Sequence, residues 1–462
     1  MDTEKCAAFR VERDALGEME VPAERYWGIH TERARRTFSL SQRKTAPELI
    51  RAFAEVKAAC CRANADLGLL EKGRAEALAK ACAEVAGGAW AGEFPLDALQ
   101  GGAGTSTNMN VNEVLANRGL ECMGKTRGEY GFLHPLGHVN LNQSTNDTYP
   151  TALRVAALRG VAGLEASVAR LQGALQGLEA AFAGIVKLGR TELVDAVPMT
   201  LGAEFGAFAE AVARDRWRVF KCQERLRVVN LGGTAVGTGL AAPRDYIFLA
   251  TERLREGTGL NVCRAENLVD ATANQDSLVE VAGILKAHAT TLAKIANDLR
   301  LLAAFGEIRL PALQAGSSIM PHKVNPVVPE AVLQVSIWAQ AQEAALSQCV
   351  QRSSLQICEF MPLVADALLG MIAGLKSADE LLAAHLEGVS ASAEACGERL
   401  WRAPTLVTAL VGKIGYAEAG KLAASWEAGG GDLRAHLEGA LGKETVEKAM
   451  SPTALTALGY VL

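Results

Sequence analysis

Aromatic side chains are scarce in this chain. Phe, Trp and Tyr make up 5% of its 462 residues, against a hydrophobic share of 49%, so the interior must be filled by Ala, Leu and Val. That composition disfavours a β-sandwich and suits helices packed at close range. Charge of one sign is also missing. The 47 Lys and Arg against 52 Asp and Glu leave a net charge of −5, interspersed along the chain, so no nucleic-acid groove is expected and any anion site must be local. No uninterrupted apolar run approaches the ~20 residues of a membrane helix. The first residues (MDTEKCAAFRVERDALGEMEV) lack the basic start and apolar stretch of a signal peptide. A cytoplasmic chain with no membrane partner is the expectation. The ten cysteines (Cys6, Cys60, Cys61, Cys82, Cys122, Cys222, Cys263, Cys349, Cys358 and Cys396) include no CxxC pair, which reads as reduced thiols and not as a disulfide framework. His30, His138, His288, His385 and His436 show no ligand spacing such as HExxH, so no metal site is expected.

What the chain does have is helical periodicity. From Thr151 to Ala183 apolar residues recur at Leu153, Val155, Leu158, Val161, Leu164, Val168, Leu171, Leu175, Leu178 and Phe182 with no internal proline. Similar stretches run over 274–304, 327–350 and 363–389. Helices of roughly thirty residues exceed the usual globular range and predict a long bundle. The first ~140 residues instead mix polar segments, helical pieces and Gly-rich turns, and beyond Arg402 short helices are broken by the GGGD turn at 429–432. Three parts are expected: 1–141 mixed and helical, 142–397 the long-helix bundle, and 398–462 a small helical domain.

The most informative stretch is Gly316–Pro326, GSSIMPHKVNP. A glycine frees the backbone, two serines, a lysine and an asparagine follow, and Pro326 suits the first turn of the helix that begins with the apolar run at Val327. Such a loop can bring a hydroxyl, a cation and an amide onto one small anion. Two further segments carry hydroxyls and amides at a helix start: GAGTSTNMN (102–110) and NQSTNDTYPT (142–151). Donors of this kind, with the helix dipole behind them, suit a carboxylate. Each alone is also an ordinary polar turn, with Asp147 or Thr148 serving as an N-cap.

Gly316–Pro326 resembles the signature loop of the aspartase/fumarase superfamily, whose members eliminate ammonia, water or amines from succinyl compounds. The likeness covers nearly the whole chain, from RVERDALGEMEVPAERYWGIHTERA to the helices after Arg402. It implies a mostly α, three-domain chain whose long helices form a twenty-helix core in a homotetramer, with each active site drawn from three subunits. It also implies a catalytic Ser317 that removes the Cβ proton once activated by its neighbours, and Lys323 and Asn325 on the carboxylate that bears the developing charge. Thr105, Asn108, Ser144, Thr145, Asn146, Thr191 and Ser318 are implied as further substrate contacts. The partner is then a small dicarboxylate or amino-acid substrate, and this chemistry needs no cofactor.

The chain departs from its relatives in several places. After Arg190-Thr191, where fumarases place a histidine and aspartases a histidine or glutamine, it has Glu192. The partner of that histidine corresponds to Glu330, so two carboxylates are expected to approach each other, one of them holding a proton or the pair holding a cation. Glu192 then either imitates glutamine as a donor or selects a substrate with a cationic or neutral distal group. His322 stands where Gly or Ala is usual; it tunes the base, meets a larger leaving group, or is a tolerated loop change. Leu136-Gly137 replace an Asn-Asp pair, which puts a secondary anion site there in doubt. RLLAAFGEIRLP (300–311) lacks several residues of its relatives, so either a wider pocket or an altered loop closure is expected. Ala103 and the flanks GTSTNMNVNEVLANRGLE, RTELVDAVPMTLGAEF and GGTAVGTGLAAP resemble aspartases more than fumarases. The leading expectation is a carbon–nitrogen lyase releasing ammonia from L-aspartate to give fumarate. An ammonia- or amine-lyase on an aspartate analogue or N-substituted aspartate comes next. Fumarate hydratase is disfavoured by Ala103, and a retired structural paralogue by the presence of Ser317, Lys323 and Asn325.

Overall fold

The computed structural model describes residues 8–457 and 459, so Cys6 lies outside it. The chain opens with a hairpin of β1 (Phe9–Asp14) and β2 (Gly17–Pro22). Helices α1 (Ile29–Thr37), α2 (Pro47–Asp66), α3 (Lys72–Ala86) and α4 (Thr105–Cys122) follow. Next come the 37-residue α5 (Thr145–Ala181), a hairpin of β3 (Val186–Thr191) and β4 (Val194–Thr200), and α6 (Leu201–Leu226). The short strands β5 (Val228–Val229) and β6 (Cys263–Arg264) flank α7 (Arg244–Thr258). After α8 (Leu268–Ala273) and α9 (Asp276–Ala304) lie β7 (Ile308–Arg309), α10 (Val327–Val350), α11 (Met361–Leu386), β8 (Ser390–Ala391) and α12 (Ala393–Leu400). Short helices continue to Thr456. Every sheet among the described residues is two-stranded, so the fold is mostly α.

The long helices follow from their apolar spacing. Val161, Leu164, Val168, Leu171 and Leu175 step along α5 by three and four residues, and each is fully buried. Where the structure differs is the head of α5. The helix begins at Thr145, so Asp147 and Thr148 lie inside its first turn instead of capping it, and Pro150 is internal. A proline there leaves the carbonyl of Asn146 without its intrahelical donor. Asn230 Nδ2 supplies the missing bond to that oxygen at 2.9 Å, so the helix runs through.

Two compact units emerge, each from three segments: Met1–Leu164, Arg218–Lys286 and Trp338–Gly374 form the first, and Glu165–Trp217, Ala287–Ile337 and Leu375–Leu462 the second. In the first, α2 packs on α3 and α7, and Phe53 meets Tyr149 edge-on at 5.4 Å. In the second, the β3–β4 hairpin packs against α12 and the turn Pro404–Leu410. A small apolar core there gathers Leu188, Leu400, Leu406, Leu410, Leu433 and Leu437. α11 is long and apolar enough to cross a membrane by length and composition alone, but 61% of its apolar window is buried within the protein, as in a core helix.

Inside the second unit, His288 of α9 is completely buried. Its Nδ1 lies 3.2 Å from Asp215 of α6 and its Nε2 3.0 Å from Asp379 of α11, which also accepts from Ser167 of α5. Burial opposes a charge on the ring, but Asp379 and Asp215 outweigh it and push the imidazole pKa up to about 9. Because the folded value lies above the ordinary 6.5, this stabilisation is complete below pH 6.5 and is lost as pH rises through 9. The expected outcome is a fall in unfolding free energy on the order of 3 kcal/mol between those limits, read from urea unfolding at a series of pH values. In Asp379→Asn that decline should be clearly shallower; an equal decline would mean His288 is not its source.

Candidate active site

The first unit builds a dense donor cluster at the heads of α4 and α5. Gly102, Ala103 and Gly104 all have positive φ (83°, 56° and 89°), and this tight entry starts α4 at Thr105. Gly104 is obligatory, since a Cβ there would stand 2.2 Å from the ring of Tyr149. One turn into α4, Asn108 is buried and donates from Nδ2 to Thr145 Oγ1 at 3.0 Å. Ser144 caps α5, its Oγ accepting from the Asn146 N–H at 3.2 Å, and Asn146 Nδ2 donates to Ala235 O at 2.7 Å. Ala103, Thr145 and Asn146 line a cavity of ≈ 10 Å³, about one water. Thr105, Asn108, Ser144, Thr145 and Asn146 are thus all held at two adjoining helix starts.

Beneath them lie groups that the sequence reading missed. Lys57 of α2 is fully buried and donates to Asn140 Oδ1 at 2.8 Å and Gln143 Oε1 at 2.9 Å. The same Asn140 oxygen accepts from Asn112 Nδ2 at 3.1 Å and Asn108 Nδ2 at 3.3 Å. Burial lowers the Lys57 pKa to about 8. Asp147 is also fully buried: Oδ1 accepts from Ser144 N at 3.0 Å, and Oδ2 from Gly232 N at 3.2 Å and Thr234 N at 3.1 Å. Burial raises its pKa to about 7 against the pull of those N–H groups. A lysine amid the apolar run VKAACC was the signal available for Lys57; Asp147 was seen, but as a cap.

In the second unit, Thr191 and Glu192 are exposed at the tip of the β3–β4 hairpin. Glu192 and Leu193 form its two-residue turn with φ of 54° and 63°. Glu192 lines a cavity of ≈ 280 Å³ together with Lys187, Arg190, Glu204, Lys294 and Phe305. Its apolar wall comes from the end of α9, which stops at Ala304: Leu301, Leu302 and Phe305 line the cavity. Buried Glu307 binds Arg190 at 2.6 Å and Lys187 at 2.7 Å, and the Arg190 guanidinium lies 4.2 Å over Phe305. Glu192 and Glu330, expected to approach each other, both belong to the second unit. Among the described residues no hydrogen bond or ion pair joins them: Glu192 faces the Lys187–Arg190 cavity, and Glu330 sits in the first turn of α10.

The Gly316–Pro326 loop is clasped at its neck. Gly316 N donates to Lys323 O at 2.7 Å, and Asn325 Nδ2 donates to Gly316 O at 2.8 Å. Half-buried Ser317 turns its Oγ inward, where it accepts from Ile319 N at 3.1 Å and Met320 N at 2.8 Å. Ser318, His322 and Lys323 are exposed, and His322 adopts φ 63°. Pro326 stands just before α10, which starts at Val327, and offers its carbonyl to Glu330 N at 3.1 Å.

Comparison with known proteins places these features in context. The lyase family profile matches residues 17–340. An aspartate ammonia-lyase of Pseudomonas aeruginosa is 45% identical over 426 residues, 90% of each chain. Among solved structures, a fumarate lyase:delta crystallin of Brucella melitensis superposes with a TM-score of 0.94 at 40% identity, over 98% of this chain and 100% of that one. A class II fumarase from Schistosoma mansoni gives 0.91 at 30% identity, over 97% and 99%.

Replacing Asp147 by Asn tests the donor cluster without reference to activity. Both carboxylate oxygens accept from N–H groups, so the amide NH2 of Asn must face a donor whichever way it is turned. The variant should lose about 1–3 kcal/mol in urea unfolding; a change below about 0.5 kcal/mol would show that these bonds do not hold the segment.

Proposed function

The chain belongs to the lyase family, together with aspartate ammonia-lyases and a class II fumarase, and we propose that it eliminates ammonia from L-aspartate to give fumarate. The observation that carries this reading is the setting of Ser317. Two backbone N–H groups converge on its Oγ, and such donors stabilise an alkoxide as they would an oxyanion. The hydroxyl thereby becomes a competent base for a proton that is not acidic in water.

In this mechanism the Ser317 hydroxyl first gives up its own proton to solvent, and the resulting alkoxide takes the Cβ proton. The electron pair left behind spreads into the adjacent carboxylate, making a dianionic aci-carboxylate. Lys323 and Asn325 hold that carboxylate, with Ser318 as a further donor. Thr105, Asn108, Ser144, Thr145 and Asn146 hold the substrate through hydroxyls and amides, with Thr191, Glu192, Glu330 and His322 on the remaining sides. That pair then forms the Cα–Cβ double bond as the Cα–N bond breaks, and the substrate's ammonium group leaves as ammonia, taking the Cα–N bonding pair. The geometry is an anti elimination. Neither a cofactor nor a metal takes part in these steps.

The working form in this proposal is a cytoplasmic homotetramer whose active sites draw residues from three subunits. Supporting it are large apolar side chains left in water on the long helices and the loop: Ile337 is 65% exposed, Trp217 61% and Ile319 84%. A second reading, an amine-lyase acting on an aspartate with a changed distal group or an N-substituent, is favoured by the ≈ 280 Å³ cavity beside Glu192.

Incubation with L-aspartate, followed by the ultraviolet absorbance of fumarate, tests the proposal. Ser317→Ala should lower turnover roughly 10²–10⁴-fold. Glu192→Gln should keep or raise it; a collapse there, or no fumarate from the intact protein, would favour the second reading. Gly316→Ala should lower kcat by about tenfold or more with an unchanged urea midpoint, because its Cβ would press on Lys323 O at 2.8 Å and Asn325 N at 2.9 Å. Unimpaired turnover in Gly316→Ala would show that the loop neck is not held tight during catalysis.

A further inference from the structure

A second cavity, unrelated to the donor clusters, opens on the first unit where the start of α2 meets the end of α3. It measures ≈ 150 Å³, and its walls are Pro47, Ile50, Val85, Ala89, Ala91 and Phe94. That volume is about the size that holds one benzene ring in an apolar pocket. Three features set it apart from an ordinary packing gap. Lys44 and Arg51 also line it, and no carboxylate does. Among the described residues neither cation has an ion-pair partner, although most arginines of the first unit, such as Arg33, Arg43 and Arg118, are paired. The hydroxyl of Thr45, also on the wall, is buried with no hydrogen-bond partner.

Local backbone places the arginine. Gly88 has φ +90°, and a Cβ on it would stand 2.9 Å from Arg51 Nη2. The guanidinium therefore rests against the bare glycine beside the cavity. Its planar fork is suited to a carboxylate, and Lys44 adds a second positive charge without opposing it.

We propose that this cavity binds a small monocarboxylate with a compact apolar body, an aromatic or branched aliphatic acid of about five to seven carbons. The apolar body enters between Ile50, Val85 and Phe94. The carboxylate stays with Arg51 and Lys44, and the Thr45 hydroxyl gains a partner. A dicarboxylate such as fumarate does not fit this description, because its second charge would be pressed onto the apolar side formed by Ile50, Val85 and Phe94. The site is therefore distinct in chemistry from the one that serves the elimination.

Ligand-detected NMR titration of the full-length protein with benzoate and with 3-methylbutanoate tests this, with benzyl alcohol, benzylamine and fumarate as controls. At least one of the two acids should bind, and competitively with the other if both do. Benzyl alcohol and benzylamine should bind at least tenfold more weakly than benzoate, and fumarate should not displace it. The double variant Lys44→Ala/Arg51→Ala should weaken binding of the acid tenfold or more, and Ala89→Trp, a change at an exposed wall position, should abolish it. Fumarate formation from aspartate, retained in both variants, serves as the check on folding. If fumarate formation is absent throughout, the urea midpoint replaces it, and the binding result still stands or falls on its own. Equal binding of acid, alcohol and amine, displacement by fumarate, or acid binding unchanged in either variant would overturn the proposal.

Discussion

A single buried carboxylate holds the first unit's donor cluster in register. Asp147 sits in the opening turn of the longest helix and binds three backbone N–H groups, one from the turn that precedes the helix and two from the Gly232–Thr234 segment. Without a charged or strongly polar acceptor there, those groups would be buried and unsatisfied. With it, Ser144, Thr145 and Asn146 are pinned at the positive end of α5, where the helix dipole favours an anion. Desolvation pushes the Asp147 pKa to about 7 and the Lys57 pKa to about 8. The two buried charges lie close enough to feel each other, so each lessens the penalty the other carries. The donors at the two helix starts inherit their geometry from this inner layer.

The parts legible in the sequence were those with a period or a local rule. The long helices were readable because Val161, Leu164, Val168, Leu171 and Leu175 repeat on one face, and all are buried as that pattern requires. The head of α5 was misread because local rules compete there. Asp and Thr favour caps, and Pro favours a boundary, yet a distant side chain, Asn230, repairs the carbonyl that Pro150 orphans. No spacing in the sequence announces such a repair. Lys57 was missed for a related reason: what makes it tolerable in the interior is a pair of side-chain amides more than eighty positions away.

The signature loop shows the opposite balance. Its residue types suggested a hydroxyl, a cation and an amide that could share an anion. In the single chain they are divided by task. Asn325 is engaged in clasping the neck, Ser317 is turned toward backbone donors, and Lys323 is left in solvent. A loop closed at its base and exposed at its crown can move as a unit while keeping the two N–H bonds to Ser317 Oγ. The exposure of Ile319 and Met320, 84% and 49%, fits a crown completed by other surfaces.

In the proposed reaction the hairpin tip bears most directly on substrate choice. A two-residue turn with both φ positive suits Asn-Gly, yet this chain places Glu192 and Leu193 there. Each non-glycine residue in that region carries strain on the order of 1 kcal/mol or more. A turn serving only to reverse the chain would shed that strain with glycine, so the Glu192 side chain itself is what the turn presents. It does so beside Lys187 and Arg190, which buried Glu307 already partly neutralises. Among the described residues Glu192 has no ion-pair partner within its own chain. The proposed reaction gives it one of two roles, to accept from a substrate ammonium or, as the acid, to donate as a glutamine would. The first role discriminates by charge and the second by hydrogen-bond direction, and the cavity beside it offers the room for a larger distal group.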